Sequence, residues 1–181
     1  NVVNNLLSLG AKVSVLSVVG NDENGKELLC MLETLGADAK GIVKQENRKT
    51  SKKSRVIASH QQVVRYDSES KEDITEASVD ALLSQCTSYI PNVDVVLLSD
   101  YGKGVLTTTF TNHVIEFAKK YKKPILVDPK GEDYSKYKGA TLITPNKKEA
   151  SIATKIAIKD DETLQKAGRL LKESLGLEYA I

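Results

Sequence analysis

Apolar positions along this chain switch repeatedly between two periods. Val2, Val3, Leu6, Leu7 and Leu9 recur at helical spacing up to Gly10. The β-branched run KVSVLSVV over 12–19 closes at Gly20 and predicts a strand, and DENGKELLCMLETL over 22–35 returns to helical spacing. Residues 41–67 lose the helical spacing and carry short strand-like runs around a polar Ser-His-Gln-Gln turn, which predicts a small antiparallel ribbon. Beyond it the spacing predicts a helix over 75–89, a strand over 93–98, a helix over 107–120 and strands over 124–127 and 140–143. Helices follow over 146–153 and 160–175, and residues 178–181 read as a strand just begun. Strands alternating with helices imply right-handed crossovers and a mostly parallel sheet covered on both faces, an α/β architecture from which the ribbon departs. No repeat, low-complexity tract or Pro/Gly-rich linker divides the chain, so one domain is expected over 1–181.

Composition narrows the classes. With 181 residues, 40% of them hydrophobic and 28% charged, the chain can bury a proper core and is neither a disordered nor a fibrous sequence. The 26 basic and 24 acidic side chains leave +2, too little and too scattered to point to a nucleic-acid partner. No apolar run approaches the ~20 residues that cross a bilayer, and the N-terminus has no signal-peptide pattern, so a cytoplasmic location without membrane partners is expected. Cys30 and Cys86 lie in helical patterns without a CxxC motif and are expected to be reduced, buried thiols. The chain opens at Asn1 with Met31 its only methionine, and the expectation is an interior piece of a longer protein.

Ligands of open parallel sheets bind beyond the carboxyl ends of the strands, where loops lead into helix N-termini. Three successive strands end in polar, charged sets: Ser99-Asp100-Tyr101-Gly102-Lys103-Gly104, then Asp128-Pro129-Lys130-Gly131, then Thr144-Pro145-Asn146-Lys147-Lys148-Glu149. An acid beside a lysine at such a mouth can hold a polyol hydroxyl with the carboxylate and a phosphate oxygen with the ammonium. The competing reading makes Asp100 and Asp128 caps of the next turn and leaves the lysines solvated. Asn146 and Glu149, three apart at a helix start, can reach a metal-bound phosphate together or close a capping box, and both can hold at once.

The ribbon carries Lys53, Arg55, His60, Gln61, Gln62, Arg65 and Asp67. Arg55 and Arg65 either face an anionic substrate or stand in solvent guarding an edge strand. His60 and His113 lack a neighbouring acid or cysteine at ligand spacing and read as structural or solvated. The Lys119-Lys120-Tyr121-Lys122-Lys123 run ends a helix, where positive charge favours the macrodipole.

Taken together, LLSDYGKG, LVDPKG, YKGATLITPNKKE and the opening NVVNNLLSLGAKV resemble the ribokinase-like (PfkB-type) sugar kinases over essentially the whole chain. The resemblance is strongest to the kinase part of the bifunctional heptose 7-phosphate kinase and heptose 1-phosphate adenylyltransferase group. It implies a three-layer α/β sandwich with a β lid over about 41–68, truncated at both ends. The implied reaction transfers the γ-phosphate of ATP, with magnesium, to O1 of D-glycero-D-manno-heptose 7-phosphate on the way to ADP-heptose and lipopolysaccharide core. It further implies that Asn146, Lys147, Lys148 and Glu149 lie at the nucleotide phosphates, with Glu149 at the metal. The sugar side is implied to be lined by Asn1, Arg55, Gln62, Arg65, Asp100, Lys103, Asp128 and Lys130, and lids of this kind imply a homodimer. The family's Gly-Ala-Gly-Asp motif, which carries its general base, does not occur here. The expected catalytic Asp therefore lies beyond Ile181, and these residues alone are expected to be inactive. Another sugar as acceptor, or a non-catalytic sugar-binding domain, remain the alternatives.

Overall fold

The computed structural model describes residues 1–58 and 61–181, so the expected turn at Ser59 and His60 lies outside the described residues. The chain divides into two compact units, Asn1–Gln85 and Cys86–Ile181.

In the first unit, helix α1 (Val2–Ser8) turns Val3 and Leu7 onto a small core of Leu32, Ala37 and Ala39. Strand β1 (Ser17–Gly20) leads into α2 (Glu23–Thr34), which starts where the Asp22 carboxylate accepts the Gly25 N–H at 2.7 Å. Strand β2 (Ile42–Gln45) pairs in parallel with β1, Ser17 opposite Ile42. The strand expected over 12–19 is regular only from Ser17. Upstream, Ser14 makes an isolated parallel bridge to Asp38, and a turn at Lys40 and Gly41 interrupts the ladder before Ile42.

The antiparallel ribbon is β3 (Lys52–Ala58) with β4 (Gln61–Ser68). It is narrower than the span expected from sequence, because residues 42–45 pair with β1 instead. Both ribbon strands are exposed along nearly their whole length. Their register puts Lys53 opposite Asp67 and Arg55 opposite Arg65 on one face, with Ser54 opposite Tyr66 and Val56 opposite Val64 on the other. Helix α3 (Glu76–Tyr89) follows.

The second unit holds β5 (Val96–Ser99), α4 (Thr108–Lys120), β6 (Ile125–Asp128), β7 (Leu142–Ile143), α5 (Lys147–Thr154), α6 (Asp161–Leu175) and β8 (Tyr179–Ala180). The four strands form one parallel sheet in chain order. Ile125, Val127 and Ile143 are almost wholly buried in it, and each such side chain contributes about 1.5–3 kcal/mol relative to exposure. Helix starts follow local chemistry: Thr107, Asn146 and Asp160 each accept a first-turn N–H. Lys119 and Lys120 close α4 as the macrodipole favours.

Cys86 is buried as expected, which pushes its thiol up to about 11. Cys30 corrects the expectation: it is free but exposed, because α2 turns Gly25 and Leu32 inward and leaves Cys30 on the solvent side.

Candidate functional site

The parallel register aligns the ends of neighbouring strands, Ser99 lying opposite Asp128. The Asp100 N–H then donates to the Asp128 carbonyl at 2.9 Å and the Thr144 N–H to the Val127 carbonyl at 2.9 Å, so the three loops start side by side. From there a continuous series of polar contacts joins them.

Asp100 is its most enclosed carboxylate, with 4% of its side chain exposed. Its Oδ1 accepts from the Gly102 N–H at 2.7 Å, and its Oδ2 accepts from Lys136 Nζ at 2.6 Å and from the Tyr137 hydroxyl at 2.6 Å. The carboxylate expected to hold a sugar hydroxyl is thus already bonded to three protein donors. Gly102, at φ +62°, and Gly104, at φ +72°, allow the tight loop that brings the Gly102 N–H back. Tyr137 is fully buried, and its oxygen also accepts from the Lys130 N–H at 3.2 Å. Lys136 donates further to the Leu106 carbonyl at 3.1 Å.

Lys130 Nζ meets Glu149 Oε1 at 2.9 Å. Glu149 Oε2 accepts from the Asn146 N–H at 3.1 Å while Asn146 Oδ1 accepts from the Glu149 N–H at 3.0 Å, so the capping box expected from their spacing is formed. The loops after β5, β6 and β7 are therefore tied in the order Asp100, Tyr137, Lys130, Glu149, Asn146. Lys147 and Lys148 sit exposed on the first turn of α5, and Lys103 is half-buried.

The electrostatics follow. Burial and the neighbouring Glu149 charge raise the Asp128 carboxyl above its ordinary range, with Lys130 opposing. Burial pulls Glu149 the same way, yet the Lys130 ammonium and the Asn146 N–H outweigh it and hold its carboxyl below the usual value. The Glu149 bond in turn raises Lys130. Burial, reinforced by the hydrogen bond to Asp100, raises the Tyr137 phenol. Beside it Tyr134 packs edge-on, its ring centre 5.7 Å away. Burial first, then the Glu149 and Asp128 charges, push the Tyr134 phenol up to about 12, and its hydroxyl is buried without a hydrogen-bond partner among the described residues.

The remaining sugar-side candidates lie in the first unit. Asn1 is exposed and caps α1 by position without a side-chain bond. Arg55 and Gln62 are exposed on the ribbon, and exposed Arg65 grips Asp67 with two nitrogens at 2.8 and 2.7 Å. His113 is exposed on α4, with Nδ1 2.8 Å from the Thr109 carbonyl oxygen. Among the described residues no group of three His, Cys, Asp or Glu gathers as a metal cage.

Two features escaped the sequence reading. Lys136, Tyr137 and Tyr134 sit in the connection between β6 and β7 rather than at a strand end. Asp22 does sit at a strand end, after β1, where the same rule applies. Its carboxylate spans Gly25 and Thr50, at 2.7 and 2.9 Å, and Thr50 Oγ1 accepts the Gly20 N–H at 2.8 Å.

A model of the pfkB family of carbohydrate kinases matches residues 1–178. The chain belongs to this family. Among curated relatives it is 54% identical over 181 residues to the bifunctional protein HldE of Sulfurimonas denitrificans and 51% identical over 181 residues to that of Wolinella succinogenes. Each match covers 100% of this chain and 38% of the relative, so the chain spans well under half of the relatives' length. Solved pfkB-type kinases share the fold at low identity. Phosphofructokinase-2 from Escherichia coli in complex with potassium gives a TM-score of 0.77 at 18% identity, over 99% of this chain and 58% of that one. Arabidopsis thaliana ribokinase complexed with ribose and ATP gives 0.72 at 16% identity, over 98% and 57%. The ribokinase-like α/β fold expected from the motifs is the one found.

Proposed function

We propose that the protein containing this chain is an ATP-dependent heptose 7-phosphate kinase, transferring the γ-phosphoryl group to O1 of D-glycero-β-D-manno-heptose 7-phosphate. The product, the 1,7-bisphosphate, would feed ADP-heptose and lipopolysaccharide core synthesis in the cytoplasm. The observation that carries the reading is the joining of the three strand-end loops into one polar group, Asp100 through Asn146, in a chain of the pfkB family. The similarity to relatives named bifunctional protein HldE supports the choice of heptose over other sugars. On this reading the two compact units belong to one kinase domain.

Phosphoryl transfer rests on positioning and charge neutralisation more than on covalent chemistry by the protein. Asn146, Lys147, Lys148 and Glu149, at the start of α5, serve the nucleotide phosphates, with first-turn N–H groups and the helix dipole favouring negative charge there. The carboxylates of Glu149 and Asp128 are hard oxygen donors close enough to feel each other's charge, which suits magnesium, an ion that takes one or two carboxylates beside phosphate oxygens and water. Bound there it would offset phosphate charge. Lys103 and Lys130 serve the acceptor's phosphate, Asp128 its hydroxyls, and Asp100 fixes the loop that carries Lys103. On the ribbon, exposed Arg55 and Arg65 lie directly opposite each other and are assigned to the acceptor's anionic group, Arg65 from within its pair with Asp67. Gln62 and Asn1 are assigned to the sugar by the family resemblance. Homodimerisation is assigned to the ribbon, whose exposed Val56, Val64 and Tyr66 share one face, and sedimentation of the full-length protein reads that state.

The test is a panel of sugar phosphates offered with Mg-ATP to the full-length protein, reading ADP release. Heptose 7-phosphate is expected to turn over fastest, with phosphate placed at O1. Faster turnover of another sugar overturns the choice of acceptor, and no ADP release with any sugar overturns the kinase in favour of a binding domain.

A further inference from the structure

We infer that Tyr137, held by Asp100 and Lys136, is a positioning residue that sets where Lys130 stands, so that acceptor binding depends on a phenol that touches no substrate. The inference rests on the kinase reading above and adds to it a residue from outside the strand-end motifs.

Four observations converge on Tyr137. Its side chain is fully buried, so its hydroxyl must find partners within the protein. It finds two on different loops: it donates to Asp100 Oδ2 at 2.6 Å and accepts from the Lys130 N–H at 3.2 Å, bridging residues 37 and 7 positions away in sequence. Asp100 cannot drift from it, because Lys136 Nζ holds the same Oδ2 at 2.6 Å and the Gly102 N–H holds Oδ1 at 2.7 Å. Finally, Lys130 is held at its backbone by Tyr137 and at its ammonium by the Glu149 carboxylate, and about half of its side chain stays exposed. An exposed ammonium on a fixed backbone suits a phosphate-holding lysine, and Tyr137 provides the fixed end.

The effect should be one-sided. Glu149 has its own anchor in the capping box with Asn146, which does not involve Tyr137. Loss of the phenol oxygen therefore disturbs Lys130 and the Asp100 loop while leaving the α5 end in place.

The experiment compares Tyr137→Phe with wild type in the full-length protein. KM for whichever acceptor the sugar panel selects is expected to rise about five- to tenfold, the loss of one or two hydrogen bonds, while KM for ATP stays within about twofold. Hydrogen exchange without any ligand is expected to quicken in the segments around Gly102 and Lys130 and to stay unchanged in α5. A purely structural tyrosine would lower the unfolding midpoint without this split between acceptor and nucleotide or between segments. If Tyr137→Phe does not fold, Lys136→Met, which leaves the Tyr137 bridge but frees one side of Asp100, is expected to show the same pattern at smaller amplitude. Unchanged exchange around Lys130 in the folded variant, or equal losses for acceptor and ATP, overturns the inference. Absence of turnover with every acceptor overturns the kinase reading, and the exchange pattern then decides the positioning role by itself.

Discussion

Around the carboxyl ends of β5, β6 and β7, Asp100 with Lys136 and Lys130 with Glu149 form ion pairs within 3 Å whose acids are largely enclosed, whereas on the ribbon Arg55 and the Arg65–Asp67 pair stand exposed. Both regions are rich in charge, and the local sequence pattern does not distinguish them. The difference is burial. Next to Ile125, Val127 and Ile143, desolvating an unpaired carboxylate would be prohibitive, so each acid recruits donors and becomes part of a rigid frame. A two-stranded ribbon cannot bury its faces, so its charges remain hydrated and adaptable. One region fixes geometry and the other is free to respond to what arrives.

The sharpest way to break this contrast is Asp100→Ala. It leaves the Lys136 ammonium and the Tyr137 hydroxyl without their shared acceptor in a buried setting, and is expected to destabilise by about 3 kcal/mol in chemical denaturation. A loss no greater than that of a surface substitution would show that the frame is not rigid.

A smaller effect is expected from Glu149→Gln and should depend on pH. Because the folded state holds the Glu149 carboxyl below its ordinary 4.5, the unfolded chain takes up the proton first on acidification. The stability it contributes is complete above 4.5 and fades as the pH falls through the lower folded value. The variant should therefore melt below wild type at pH 7, and the two melting curves should converge in acid. A gap independent of pH would mean that the Lys130 pair does not govern this carboxyl.

The smallest effect belongs to the ribbon. Arg65→Gln removes the two-pronged contact to Asp67, yet both partners are solvated and such pairs contribute little. The unfolding midpoint is expected to stay within measurement scatter, while acceptor KM in the full-length protein rises. A clear loss of stability would place the ribbon in the frame after all.

Much of the second unit was legible because its signals are local. Asp160 before a helix, and Asn146 with Glu149 three residues on, mark helix starts by chemistry that involves one turn of chain. The rule that ligands gather at strand ends pointed to three loops that polar contacts join in the structure. It did not reveal Tyr137 and Lys136, whose stretch DYSKYKG reads as an ordinary polar connection. Nor did it separate β2 from the ribbon, since parallel and antiparallel strands share the same two-residue period. Cys30 went astray for a related reason: helical spacing identifies a helix, but which side of it meets a neighbour depends on what packs there.

The sequence by itself determined the kinds and order of elements, the helix starts and the family, because these follow from short-range periodicity, caps and motifs carried in consecutive residues. Only the tertiary structure decided which polar atoms satisfy one another. Asp100 meets Lys136 and Tyr137 across 36 and 37 residues because sheet register and burial bring them together, and an enclosed carboxylate must take the donors it finds there.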